Sequence, residues 1–274
     1  MPILTRDSLN FLYHDEGEGL PFVFQHGLGG DLSQPRAVYR PPAGVRLIAF
    51  DFRGHGETRP LGDTAKLKIA SLADDLIALL DHLKIERAVV GGISLGSAVS
   101  VNTALRYPDR VLGLVLSRPA WIDRPLPENV WIFTTIAELL QRVRAKEGLE
   151  RFRRTAEFEE LERTAPDCAT SLVGHFEQPR AVECAARLAS LIVDTPCPDR
   201  ALYLTITVPT LVLGNRQDPI HPWELAETVA GLIPGCEFSE ITPKSVSLDQ
   251  HAVDVQRSVD GFLSRRFIDG GRIH

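Results

Sequence analysis

The stretch Arg87-Ala88-Val89-Val90-Gly91-Gly92-Ile93-Ser94-Leu95-Gly96-Ser97 carries a short apolar, β-branched run directly into the pentad Gly92-Ile93-Ser94-Leu95-Gly96. A helix-compatible segment, Ser97 to Tyr107, follows at once. A G-x-S-x-G match alone is a weak signal, because any glycine-rich turn before a helix can contain a serine. The setting decides it. A strand, a tight turn and a helix in immediate succession hold the serine in a strained backbone conformation, which only small flanking residues tolerate. Such a turn lifts the hydroxyl to the tip of a sheet, beside the positive end of the next helix. Ser94 is therefore the candidate nucleophile.

Reading outward, Pro21-Phe22-Val23-Phe24-Gln25, Arg46-Leu47-Ile48-Ala49-Phe50 and Val111-Leu112-Gly113-Leu114-Val115-Leu116 are further strands. Leu72, Leu76, Leu79, Leu80 and Leu83 form one stripe of an amphipathic helix, for which Ser71 with Asp74 reads as the N-terminal cap. This alternation predicts a mostly parallel sheet covered on both faces. From Arg118 to Thr207 the pattern becomes helical and is broken by prolines, with no convincing strand. Strands resume at Pro209-Thr210-Leu211-Val212-Leu213-Gly214 and Glu237-Phe238-Ser239-Glu240-Ile241, and a closing helix runs from Leu248 to Arg266. The expected organisation is a core of residues 1–117 and 208–274, with a helical cap or lid inserted at 118–207. The Gly270–His274 tail is expected to fray.

Composition narrows the function classes. A chain of 274 residues, 44% hydrophobic, suffices for one sizeable core. No run approaches the roughly 20 apolar residues that a membrane span requires. Arg6 and Asp7 interrupt any signal-like start, so a cytoplasmic protein without membrane contact is expected. The net charge is −6, and Glu alternates with Arg between Arg142 and Arg163, which predicts a solvated helical face and no nucleic-acid partner. Cys168, Cys184, Cys197 and Cys236 have neither metal-ligand spacing nor the density of a disulfide framework. No metal is expected, and a homodimer is left open.

The remaining chemistry is sought around Ser94. Acyl transfer places negative charge on a carbonyl oxygen, and preorganised backbone N–H groups must receive it. His26-Gly27-Leu28-Gly29-Gly30 stands two strands before the serine, so Leu28 and Leu95 are the expected oxyanion donors. His26 is expected to brace its loop, and Asp51, Arg53 and His55 of the Asp51-Phe52-Arg53-Gly54-His55-Gly56 turn are read as structural. Asp218, four residues beyond the strand that ends at Gly214, is the expected acid. Past it lie His221, His251 and His274. His221 is set aside as too near the acid in sequence and His274 as terminal, which leaves His251 as the expected base.

These segments in this order resemble the α/β-hydrolase superfamily over nearly the whole chain, in particular its capped esterase, enol-lactonase and proline-iminopeptidase-like branch. The resemblance implies an eight-stranded, mostly parallel sheet flanked by helices, an inserted helical cap, a Ser-acid-His triad, an acyl-enzyme route and no cofactor. It assigns Ser94 as nucleophile, Leu28 and Leu95 as oxyanion donors, and Asp218 as acid. One departure stands out: where the family carries its histidine, directly after the last strand, this chain reads Pro243-Lys244-Ser245-Val246. Either His251 serves from a displaced position or the triad is incomplete.

Two functions follow as expectations. The first is a serine hydrolase acting on a small-molecule ester or lactone, its partner being the acyl substrate. The second is a non-hydrolytic ligand receptor or degenerate scaffold, motivated by the missing histidine. Carbon–carbon bond hydrolases and thioesterases share the constellation, because fold alone does not set chemistry.

Overall fold

The computed structural model describes residues 1–269; the Gly270–His274 tail, with His274, lies outside the described residues. Five apolar runs form all but the edge strand of the parallel part of the sheet: β3 (Leu20–Gln25), β4 (Val45–Phe50), β5 (Ala88–Ile93), β6 (Val111–Ser117) and β7 (Thr210–Gly214). All six residues of β5 are buried, as expected of a central strand covered on both faces. Alternate side chains serve two cores. Val23, Val90, Leu114 and Val212 meet the helices α2 (Ile69–His82) and α3 (Leu95–Arg106) on one face. Phe22, Phe24, Val89 and Leu213 meet Val255, Val259 and Phe262 of α10 (Leu248–Leu263) on the other.

The sheet has eight strands. The two beyond the sequence reading are β1 (Ile3–Arg6) and β2 (Leu9–Gly17), and β8 (Glu237–Glu240) closes the opposite edge. The order is β1-β2-β4-β3-β5-β6-β7-β8, in which β1–β2 and β2–β4 are antiparallel and the rest parallel. Asp7 and Ser8 join β1 to β2 with φ of 53° and 61°, the two left-handed residues of a tight hairpin turn.

Among the described residues no strand interrupts the chain between β6 and β7. Five helices occupy that interval: α4 (Ile132–Arg142), α5 (Ala145–Phe152), α6 (Ala156–Thr164), α7 (Pro166–Glu177) and α8 (Ala181–Leu191). No described helix is long and apolar enough to cross a membrane. α1 (Ser33–Val38) lies between β3 and β4, and α9 (Trp223–Leu232) follows β7.

Two helix ends differ from the sequence reading. α2 starts at Ile69, and neither Ser71 nor Asp74 caps it; the Ile69 N–H instead donates to Asp194 Oδ2 at 2.7 Å, an acceptor 125 residues away that no local pattern announces. The closing helix is regular only to Leu263, after which Ser264–Ile268 continues as a wider π turn.

One buried ion pair anchors the turn after β4. Arg53 and Asp75 are 2% and 1% exposed, and Arg53 Nε and Nη2 donate to the two carboxylate oxygens at 2.6 Å each. Arg6 and Asp7 of the N-terminal hairpin add contacts at 3.2 Å, so three segments share one charge cluster. Removing the carboxylate leaves a buried guanidinium without its main partner. Asp75→Ala should therefore cost about 3–5 kcal/mol of stability in a denaturant titration; a loss under about 1 kcal/mol would show that the pair anchors nothing.

Candidate active site

Ser94 sits at the apex between β5 and α3 with φ 55° and ψ −107°, a left-handed conformation that a residue with a side chain adopts only under constraint. The constraint is visible. A Cβ at Gly92 would lie 2.6 Å from the Gly96 backbone, and one at Gly96 would lie 2.7 Å from Gln25 O, so both flanking positions must lack a side chain. The Ser94 N–H donates to Ser117 O at the end of β6 (2.9 Å), and Ser94 O accepts from the Ala98 N–H in α3 (3.1 Å). The elbow is thereby tied to the neighbouring strand and to the helix it starts. Ser94 is only 9% exposed.

A cavity of about 110 Å³ opens at Ser94. Its floor is Gly27, Leu28, Gly29 and Ile93; its roof is Phe133 of α4 with Asp167, Cys168, Leu172 and His175 of α7; its wall is Arg118, Ile220, His221 and Lys244. The inserted helices thus contribute directly to the space around Ser94. Leu95 is the first residue of α3, so its N–H has no carbonyl a turn earlier to engage. The Leu28 N–H, on the loop beside it, has no loop or side-chain acceptor among the described residues.

The histidine-glycine loop is braced as its residues suggest. His26 is fully buried; its Nδ1 lies 2.8 Å from Gly27 O and its Nε2 accepts from the Phe52 N–H at 3.1 Å, which makes Nδ1 the protonated nitrogen. Burial pushes its pKa down to about 4. Asp51 accepts from the N–H groups of Leu32 and Glu57 (2.7 Å each), and His55 Nε2 lies 3.0 Å from Leu28 O. These residues shape the loop and stay out of the cavity. The roof touches the loop through His175, whose ring lies 2.9 Å from where a Gly29 side chain would begin.

Asp218 is 5% exposed, and its carboxylate is held by protein donors in place of water. Its Oδ2 accepts from His221 Nδ1 (2.9 Å) and Arg118 Nη1 (3.1 Å); its Oδ1 accepts from the N–H groups of Ile220 (3.2 Å) and His221 (3.1 Å). Burial opposes the charge, but the partners outweigh it and hold the carboxyl well below its usual range. Burial likewise pulls His221 below an ordinary imidazole, against the pull of Asp218. With Nδ1–H donating to the carboxylate, Nε2 is left bare; it is buried without a partner on the cavity wall.

The structure brings Ser94, Leu28, Asp218 and His221 around one cavity, Asp218 through its bond to His221. Sequence distance did not suggest this contact: the His221 N–H bonds to Asp218 O (3.1 Å), which folds the chain back and lays the imidazole against the Asp218 carboxylate. His251, the base expected from the sequence, is 2% exposed at the start of α10. Its Nδ1 lies 2.8 Å from Thr242 O, and it is absent from the cavity lining. Burial and the Arg118 charge lower its pKa to about 4. Within Pro243–Val246, the stretch where the resemblance expects a histidine, Lys244 lines the cavity.

The chain matches the family model of the α/β hydrolase fold over residues 21–245. It is 28% identical to a 2-hydroxymuconate semialdehyde hydrolase of Pseudomonas putida over 262 residues, covering 92% of this chain and 89% of that one. A thermophilic esterase from Thermogutta terrifontis superposes with a TM-score of 0.67 at 26% identity, over 94% of this chain and 92% of the other. The enol-lactonase from Burkholderia xenovorans shares the fold with a TM-score of 0.73 at 23% identity, over 96% and 100% of the two chains. The sheet order, the serine elbow and these matches establish the chain as a member of the α/β hydrolase fold family and a hydrolase.

Proposed function

We propose that this hydrolase cleaves a small-molecule ester or lactone through an acyl-enzyme on Ser94, with His221 as its base and Asp218 as the orienting acid. The observation that carries the reading is the bare His221 Nε2, unpartnered in the cavity that holds Ser94 while Nδ1 is tied to Asp218. In this scheme His221 Nε2 takes the proton of Ser94 Oγ as the oxygen attacks the carbonyl carbon. The N–H groups of Leu28 and Leu95 receive the oxyanion. Collapse expels the alkoxide, which leaves with the proton from His221, and water then enters by the same base to release the acid. Arg118 and the backbone donors keep Asp218 ionised throughout, so that it stabilises the imidazolium without accepting its proton.

The small cavity supports a small substrate, and its roof of α4 and α7 side chains supports residues 118–207 acting as a lid. Limited proteolysis should then cut the connections of this segment before it cuts the sheet; first cuts within the sheet would count against a separable lid.

Ser94→Ala should lose about 10⁴-fold or more in turnover on a small p-nitrophenyl ester while the protein stays folded. Wild-type turnover in that variant would remove Ser94 from the chemistry, whereas no turnover by the unaltered protein would favour a receptor or another reaction in this cavity.

The choice of base has its own test. His221→Ala should cost about 10²–10⁴-fold, and much more than His251→Ala; the reverse order would return the role to His251. Because the base works as the neutral imidazole and burial lowers its pKa, kcat/KM should rise with pH along a limb centred below the ordinary value of 6.5. A limb centred above 6.5 would contradict the assignment.

A further inference from the structure

The proposed chemistry uses Ser94, His221 and Asp218, engages Arg118 only through the Nη1 that holds Asp218, and leaves Lys244 on the cavity wall unused. Arg118 stands at the tip of β6 with φ 49°, the second strained residue lining the cavity after Ser94. Its N–H donates to Leu213 O at 2.8 Å, which fixes the backbone, and its side chain is 7% exposed. Nη1 is committed to Asp218, but Nε is buried with no partner. A buried guanidinium N–H without an acceptor costs stability unless something arrives to accept from it. Lys244 faces the same space from the loop after β8, and among the described residues its ammonium makes no ion pair.

Two carboxylates also stand near. Asp218 is fully spent on His221, Arg118, two backbone donors and the Cys168 thiol. Asp167, in the first turn of α7, lines the cavity with Oδ1 unpartnered, so it calls for a donor. The unsatisfied groups of the wall are thus a guanidinium N–H, an ammonium, one imidazole lone pair and one carboxylate oxygen. The imidazole lone pair is accounted for by Ser94. What remains is two positive donors against one acceptor, and the acceptor is suited to a hydroxyl.

We propose that the substrate carries a carboxylate, received by Arg118 Nε and Lys244 Nζ on the wall of the Ser94 cavity. The inference rests on the hydrolase reading for where the scissile bond lies, but the anion site itself does not depend on turnover. The apolar residues Leu28, Ile93, Phe133 and Ile220 would cover the short carbon skeleton between the two ends. Within the stretch where the resemblance expects a histidine, Lys244 then supplies a binding group, not a base. The Arg118 charge and burial bring its pKa to about 8, and the groups facing it are Arg118, Asp218, Asp167, Cys168, His221 and His251. Its grip on an anion should therefore weaken as pH rises past about 8.

The test compares matched esters that differ only in charge: monomethyl succinate against methyl succinamate for an anion on the acyl side, and 4-carboxyphenyl acetate against 4-carbamoylphenyl acetate for one on the leaving side. In at least one pair the carboxylate should be preferred by about tenfold or more in kcat/KM, the gain expected of charge-assisted hydrogen bonds. Lys244→Met should bring that ratio toward one and Lys244→Arg should restore it, with Lys244→Gln as the second uncharged variant should Met fail to fold. A wild-type ratio near one in both pairs, or a ratio that survives loss of the Lys244 charge, would overturn the proposal while leaving the hydrolase reading in place. If no ester is turned over, calorimetry on Ser94→Ala protein decides it. Binding of the carboxylate partner of a pair over its amide upholds the anion site and removes only the ester chemistry. Equal binding, or binding of neither, overturns the anion site.

Discussion

Everything functional in this protein depends on how closely the chain approaches itself at the end of β5. Gly92 and Gly96 pack backbone against backbone, and Gly96 lies against Gln25 O of the adjacent strand. No room remains for a side chain on either side of Ser94. The serine is thereby forced to φ 55°, a conformation costing about 1–3 kcal/mol that persists only because strand, helix and neighbouring strand over-determine it. That strain has two consequences. It projects the hydroxyl away from the sheet into the cavity, and it leaves the first N–H of α3 free at the point where an oxyanion would form.

The second constraint is electrostatic. A buried carboxylate is costly unless several donors surround it. Asp218 meets that demand with Arg118, with His221, and with two N–H groups of its own turn. The same contacts decide the tautomer of His221 and leave its Nε2 free on the cavity wall. Acid and imidazole lie on one four-residue turn, which Arg118 reaches from the end of β6 and the Cys168 thiol from α7. With His221 as the proposed base, the loop after β8 need not supply one, and a lysine stands there.

Much of this was legible in the residues. The alternation of apolar runs with a helical stripe gave the parallel sheet, because buried strands and amphipathic helices have distinct periods. The G-x-S-x-G pentad is readable because steric exclusion at the elbow leaves almost no other composition possible. What escaped was non-local or conformational. The hairpin of β1 and β2 turns on Asp7-Ser8, both left-handed, without the Asn-Gly or Asp-Gly pair that usually announces such a turn. The start of α2 is set by Asp194 from the far side of the insertion. The Asp218–His221 bond is not legible either, because a three-residue separation does not announce a turn that lays the imidazole against the carboxylate. Arg118 gave no signal at all, since nothing in Ser117-Arg118-Pro119 marks a buried guanidinium.

The central claim is that His221 activates Ser94, and reaction with a small, uncharged serine-directed phosphonate tests it without any assumption about the substrate. Peptide mapping by mass spectrometry should place a single stoichiometric adduct on Ser94, and the rate of labelling should fall by about 10²-fold or more when His221 is replaced by alanine. Labelling of another residue, or labelling of Ser94 at an undiminished rate without His221, would contradict the account.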